Sequence, residues 1–258
     1  MHLHLPKPLH GWRAFVGEVG IIVIGVLIAL GAEQVVEALH WKSETARLRE
    51  SLHGEINSNQ LNAAGRVMIS GCIRQRIARL ADELAQPGKA WRADSVPGDE
   101  DQRWSALPVA FRVPWEFYTS GHWQTALASG ALVHMPEGER NGYSYAYRAV
   151  EDLASYSNEE NRLAAHLQPL ARDRQLDGVQ RLAFEGDLAA LDRLNVLLTV
   201  YSRKFLEGTR RDGIVPRPED FENAFDEARS EFGACATRLG STSDALKSGS
   251  GASAPSKD

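Results

Sequence analysis

The stretch Phe15 to Ala32, FVGEVGIIVIGVLIALGA, constrains this chain more than any other part of it. Apolar surface at this density must leave water, either in a protein core or in a bilayer. A spanning helix needs about 20 mostly apolar residues to cross a hydrocarbon layer ~30 Å thick. The charge-free part, Val19 to Ala32, is shorter than that. Alone it also fits a buried helix or the apolar region of a signal peptide. The flanks favour the span. Trp12 and Arg13 precede it, and Trp41 and Lys42 come after it. At 1.5 Å per residue the two tryptophans lie roughly 43 Å apart, the thickness of a bilayer with its headgroups. Amphipathic rings concentrate at that depth. Glu18 and Glu33 then fall near the two boundaries, where a carboxyl is hydrated or protonated and costs far less than at the midplane. We therefore expect a transmembrane helix over 15–38.

A cleaved signal peptide is the alternative, since Ala29-Leu30-Gly31 supplies small residues for a cut and would leave a soluble periplasmic protein. Glu18 in the head of the apolar region and a helical pattern that continues past Ala32 count against it. Both readings export the rest of the chain. Lys7 and Arg13 favour a cytoplasmic N-terminus, and long exported domains largely escape the charge rule that Lys42, Arg47 and Arg49 would otherwise weaken. The expected topology is a bacterial inner-membrane, single-pass protein: 1–14 cytoplasmic, 39–240 a helical periplasmic domain, 241–258 a disordered Ser/Gly/Ala-rich tail.

Glu18, Ile22, Gly25, Ala29 and Ala32 recur at i, i+4, i+7, i+11 and i+14 and so share one helical face. Gly25 and Ala29 form a small-xxx-small pair that admits a second helix at close range, and Glu18 can hydrogen-bond across such a contact. We take Glu18, Gly25, Ala29 and Ala32 as a helix interface for self-association. Gly and Ala are also common in spanning helices that pair with nothing.

The chain has 258 residues and a net charge of −5, which argues against a nucleic-acid partner. Its only two cysteines are Cys72 and Cys235. In an exported chain such a pair reads as a disulfide. Phe221, Phe225, Ala228, Phe232, Cys235 and Leu239 keep a 4-3-4-3-4 spacing, which turns Cys235 toward a core. Cys72 lies one turn after Met68 on another apolar-patterned helix. In the chain-entropy model a loop this long is worth about 5 kcal/mol. Two free buried thiols are the alternative.

Beyond residue 33 the pattern is helical almost throughout. Leu48, Leu52, Ile56, Val67, Ile73, Ile77, Leu80 and Leu84 carry an apolar face up to Gln86-Pro87-Gly88, so the spanning helix should run straight into a long amphipathic one. Next comes a loop to Pro114, then one or two short helices over Trp115–Leu132 broken near Gly121. Pro136 opens a helix reaching about Arg172. Asp177 caps another, with Phe184, Leu188, Leu191, Leu198 and Phe205 on its apolar stripe and Asn195 and Ser202 in the skipped positions. A last helix runs from Arg217-Pro218 to Gly240. The expected fold is all-α, an antiparallel helix bundle.

The opening, Gly17-Glu18-Val19 through Ile28-Ala29-Leu30 and Glu33-Gln34, resembles a group of uncharacterised bacterial single-pass membrane proteins. Trp123 to Leu132, with Glu139, Arg140, Tyr143 and Tyr147 after it, is similar to their small-residue turn and the Tyr-bearing helix beyond it. The resemblance covers about a quarter of the chain. It implies a helical exported domain and supplies no catalytic residue.

No zinc-protease, nucleophile-elbow, Walker or C-x-x-C motif is present, so we expect no enzyme, no metal and no cofactor. His122 and His134 are too far apart to share a helical face by short spacing. The paired acids Glu159-Glu160 and Asp99-Glu100 read as solvated surface. The one candidate ligand pocket is the aromatic segment with Trp115, Tyr118, His122 and Trp123, beside the small residues Ala126 to Ala131. The plainer reading of these rings is a core plug. The expected partners are the lipid bilayer, a second copy through the spanning helix, or another envelope protein. A membrane-tethered ligand sensor is the alternative role.

Overall fold

The computed structural model describes residues 11–86, 88–93, 110–114 and 117–239, with 13 and 14 by backbone alone. Residues 1–10 of the expected cytoplasmic segment 1–14, the expected tail 241–258, the turn Pro97-Gly98-Asp99, the pair Asp99-Glu100 and Trp115 lie outside them. The described residues are all-helical. α1 spans Gly11–Leu84, α2 Gly121–Ser129, α3 Glu137–His166, α4 Gly178–Arg211 and α5 Pro218–Phe232, with short 3-10 turns at Ala131–His134, Gln168–Ala171 and Gly233–Cys235.

α1 is one helix of 74 residues, about 110 Å long. No proline falls inside it, and the glycines within it meet nothing that would force a break. It has two halves of opposite character. From Trp12 to Leu39 its large apolar side chains are exposed, Ile21 by 74% and Val36 by 67%. From Thr45 onward burial begins, and Leu52 and Ile56 are fully covered. It is the one helix among the described residues long and apolar enough to cross a membrane, and no part of that stretch is covered by the rest of the protein.

The second half of α1 is the axis on which α4 and α5 pack, while α3 packs mainly on α4. Arg181 on α4 meets the Leu84 end of α1, and Thr209 meets Gln60, so these two helices are antiparallel. α3 is antiparallel to α4, with Tyr156 against Tyr201 and His166 near Asp187. It therefore runs parallel to α1, because the long connection from Ala85 returns the chain to the middle of α1 before α2. The near end of that connection is held by Trp91, which exchanges backbone hydrogen bonds with Arg174 (2.9 and 3.1 Å) and donates its indole N–H to Leu170 O at 2.7 Å.

Local chemistry sets the helix ends. Asp177 and Gln180 form a capping box at the start of α4, where the Gln180 amide donates to Asp177 Oδ1 at 2.8 Å. Pro218 opens α5. Three boundaries differ from expectation. α2 begins at Gly121 rather than breaking there, and the break falls at Gly130, whose φ of 71° is left-handed. α3 ends at His166, since Pro169 belongs to the 3-10 turn after it. α5 ends at Phe232, because Gly233 has a φ of 78°, so the apolar spacing continues past the helix that should carry it.

Cys235 is accordingly half-buried in a 3-10 turn and not on a helical face. Its sulfur lies 2.05 Å from that of Cys72, with Cα atoms 5.2 Å apart. The Thr237 amide donates to Met68 O at 2.9 Å, one turn before Cys72, so the end of the bundle is tied to α1 twice.

Two apolar clusters fill the bundle. One gathers Met68 to Leu84 of α1 with Leu167, Leu170, Leu188, Leu191 and Phe225. The other gathers Leu52 and Ile56 with Trp123, Tyr147, Leu153, Leu198 and Phe205. A charged layer helps pin the helices between them. Arg66 and Glu160 are 0% and 1% exposed and form a two-pronged pair at 2.8 and 2.7 Å. Arg66 Nη2 also donates to Asn195 Oδ1 at 3.1 Å, and Asn195 donates to Ser70 O at 3.1 Å. Glu160 is thus not the solvated residue its neighbour Glu159 suggests. Glu159 stays at the surface with Arg162, while one position on, the helix turns Glu160 into the bundle.

Leaving either charge of this pair alone in the core should cost about 3–5 kcal/mol, whereas replacing both by apolar residues should cost little. In urea unfolding of the full chain in detergent, we expect Arg66→Ala to lower stability by that amount and Arg66→Met with Glu160→Leu to recover most of it.

Candidate functional site

The aromatic segment is bound to α1 by a row of polar side chains. Glu55, Asn59 and Asn62 lie at i, i+4 and i+7, and therefore on one face. Asn62 donates to Phe117 O at 2.8 Å. Asn59 donates to Thr119 O at 2.8 Å and accepts from the Thr119 amide at 2.9 Å, which closes a two-bond clasp. Glu55 accepts the amides of His122 and Trp123 at 3.2 and 3.3 Å and the Tyr147 hydroxyl at 2.7 Å. A carboxylate here meets the free N–H groups at the start of α2, where partial positive charge favours it. Arg66, at i+11, continues the row into the charged layer.

Trp123 is 8% exposed and lies flat on Tyr147, ring centres 5.1 Å apart and planes at 7°. Tyr118 is half-buried against the same cluster. His122 points away from it, into solvent. Its described members, Tyr118, His122 and Trp123, therefore do not surround one open space. Its tryptophan fills the junction of α1, α2 and α3, and its backbone is taken up by Glu55, Asn59 and Asn62. Burial, together with the hydrogen bond to Glu55, pushes the Tyr147 phenol far above its ordinary value. Tyr143, one turn earlier, is pushed up to about 12 by burial, with the nearby Glu139 carboxylate adding to it. Neither phenol is poised to exchange a proton near neutrality.

The row Glu55, Asn59, Asn62 and Arg66 is a feature that sequence reasoning misses. Its signal is the interruption of the apolar face of α1 between Ile56 and Val67, where an amphipathic helix packed on both sides would carry Leu or Ile. The other sequence candidates fall elsewhere. Gly25, Ala29 and Ala32 lie with Glu18 on the uncovered half of α1, with nothing packed on them in the single chain. His134 is 12 residues from His122 in sequence and is stacked on Trp41, centres 3.8 Å apart and planes at 13°.

Among the described residues two open hollows stand out. One, of about 370 Å³, runs between α1 and α5 and is edged by Asp220, Glu227 and Glu231 over an Ile69 and Phe232 floor. Burial raises the Glu231 carboxyl, and Arg112 at 4.0 Å opposes the rise. The other, of about 560 Å³, lies where the exposed half of α1 meets the bundle, between Trp41, Lys42, Thr45 and Arg49 on one side and His134 and Pro136 on the other. Arg49 is already engaged there, with Glu139 at 2.5 and 3.0 Å. Among the described residues no three His, Cys, Asp or Glu side chains converge as a metal site would require.

No family model, curated protein or solved structure matches the chain.

If Trp123 serves as a wedge, its loss is a packing loss. Removing a buried tryptophan costs about 3–5 kcal/mol, which for a domain of this size lowers the melting temperature by roughly 10 °C. We expect Trp123→Ala to show that drop in a thermal melt of the full chain and His122→Ala to leave the melt unchanged.

Proposed function

We propose that this chain is a single-pass inner-membrane protein that holds a helical, non-enzymatic interaction domain in the periplasm. Its place among the bacterial membrane proteins that its N-terminal helix resembles belongs to the same proposal. The observation that carries it is the change of exposure along one continuous helix. Large apolar side chains face outward from Trp12 to Leu39 and inward from Leu52. An amphipathic helix of a water-soluble protein has no use for a fully apolar surface on all its faces, whereas a bilayer requires it. The same helix then becomes the axis of the bundle, so domain and anchor form one stiff unit with no linker between them.

The cysteine pair supports export. Cys72 and Cys235 stand at bonding distance, and disulfides persist in the oxidising periplasm and are rare in the cytosol. The partners fitting this arrangement are a second copy, joined along Glu18, Gly25, Ala29 and Ala32, or another envelope protein. The ligand-sensor alternative draws less support, since Trp123 is stacked on Tyr147 and largely covered.

Thiol trapping in intact cells tests the topology. We expect Cys72 and Cys235 to resist alkylation until reductant is added, and a chain whose 1–41 segment is deleted to react at both. Rapid alkylation of the intact chain would put the domain in the cytosol. Self-association is tested separately by a membrane two-hybrid reporter, in which Gly25→Leu should lower the signal several-fold.

A further inference from the structure

The exposed apolar stretch of α1 ends at Leu39, which is 61% exposed, and the next large side chain, Trp41, is half-covered by His134. His134 closes the 3-10 turn Ala131–His134. Ala131, Leu132 and the adjoining Met135 are buried and fix that turn to the bundle. Between them and His134, Val133 points outward and is 70% exposed. The hollow beside this turn is lined from α1 by Gln34, Glu37 and Ala38 as well as Trp41 and Lys42, so it opens along the last turns of the apolar stretch. Arg49 is neutralised by Glu139, but among the described residues no carboxylate reaches the Lys42 ammonium.

These are the side chains that settle at a bilayer surface. An indole carries an apolar body and a polar N–H, an exposed lysine can turn its charge toward phosphate, and a single valine can enter the upper acyl layer. Continuity with the span favours lipid over any other occupant. Trp41 belongs to the helix that enters the bilayer, so whatever stacks on Trp41 stands at the depth of the headgroups.

We propose that the domain is seated on the bilayer through the Ala131–His134 turn, with Val133 in the interface and phospholipid headgroups entering the hollow beside Lys42 and His134. The inference rests on the reading of α1 as the membrane span. It gives the small-residue break at Gly130 a purpose: the left-handed glycine ends α2 and starts the turn that carries the exposed Val133.

Nitroxide depth measurements on the full chain in nanodiscs of phosphatidylethanolamine and phosphatidylglycerol test it. Cys72 and Cys235 are bridged, so one added cysteine is the only reactive thiol. Val133→Cys reports the turn, Ile24→Cys the span, and Gln175→Cys an exposed site on the α3–α4 connection. We expect the label at 133 to be several-fold less accessible to a water-soluble nickel chelate than that at 175, while remaining open to oxygen. A label at 133 that matches 175 while the label at 24 is lipid-shielded overturns the seating and leaves the anchor standing. Labels at 24 and 133 both open to nickel overturn the seating and the anchor together. A label at 133 closed to both probes overturns the proposal in favour of a protein contact. A melt of Val133→Cys equal to the parent shows that the reporter has not disturbed the fold.

Discussion

The buried pair of Arg66 and Glu160 is the constraint on which the arrangement of helices depends. A guanidinium and a carboxylate without water lose several kcal/mol of solvation each, and their attraction restores this only in good geometry. Here both prongs are short, and Asn195 adds a third contact from α4. The layer therefore contributes little net stability, but it penalises misplacement heavily. A slide of α3 or α4 by one turn along α1 would leave a charge facing leucine. The apolar clusters on either side are held by non-directional packing, which tolerates a change of register more readily. The charged layer accepts one register.

The row on α1 extends this logic along the helix. Asn59 and Asn62 take up the backbone of a segment that has no regular structure of its own, Glu55 takes up the first amides of α2, and Arg66 takes up a side chain. One face of one helix thus organises α2, α3, α4 and the strap before α2. A buried amide is costly to leave unpaired, so Asn59, which is fully buried, specifies a position more than it adds stability.

Much of this fold is legible in the residues themselves. The continuous α1 is implied by an apolar run and an amphipathic pattern with no proline between them. The capped start of α4 and the buried positions Asn195 and Ser202 are implied by spacing. The hidden features fall into two kinds. Periodicity overruns the end of α5, because Phe232, Cys235 and Leu239 keep helical spacing through a glycine whose φ the pattern does not reveal. Composition misplaces Glu160, because it treats a carboxylate as surface, and the partner of this one lies 94 residues away. The aromatic segment stands out for its rings, yet what holds it is the quiet polar row on another helix. Pairing between distant polar residues leaves no local period, and its trace in the sequence is the break in the apolar face of α1 between Ile56 and Val67, which does not name the partners.

The bond between Cys72 and Cys235 spans 163 residues and closes everything from the end of α1 to α5 into a covalent ring. The apolar half of α1 hangs from that ring on the N-terminal side of Cys72. A protease that cuts once inside the ring therefore opens it without detaching anything, and the nicked domain stays on its tether until the sulfurs are reduced. Separating the whole ring from the apolar half of α1 requires a cut before Cys72, and two cuts within the ring free only the piece between them. For the membrane anchor we propose, such a ring means that the domain stays with its span after a single nick, and that its retention is set by redox state as much as by proteolysis.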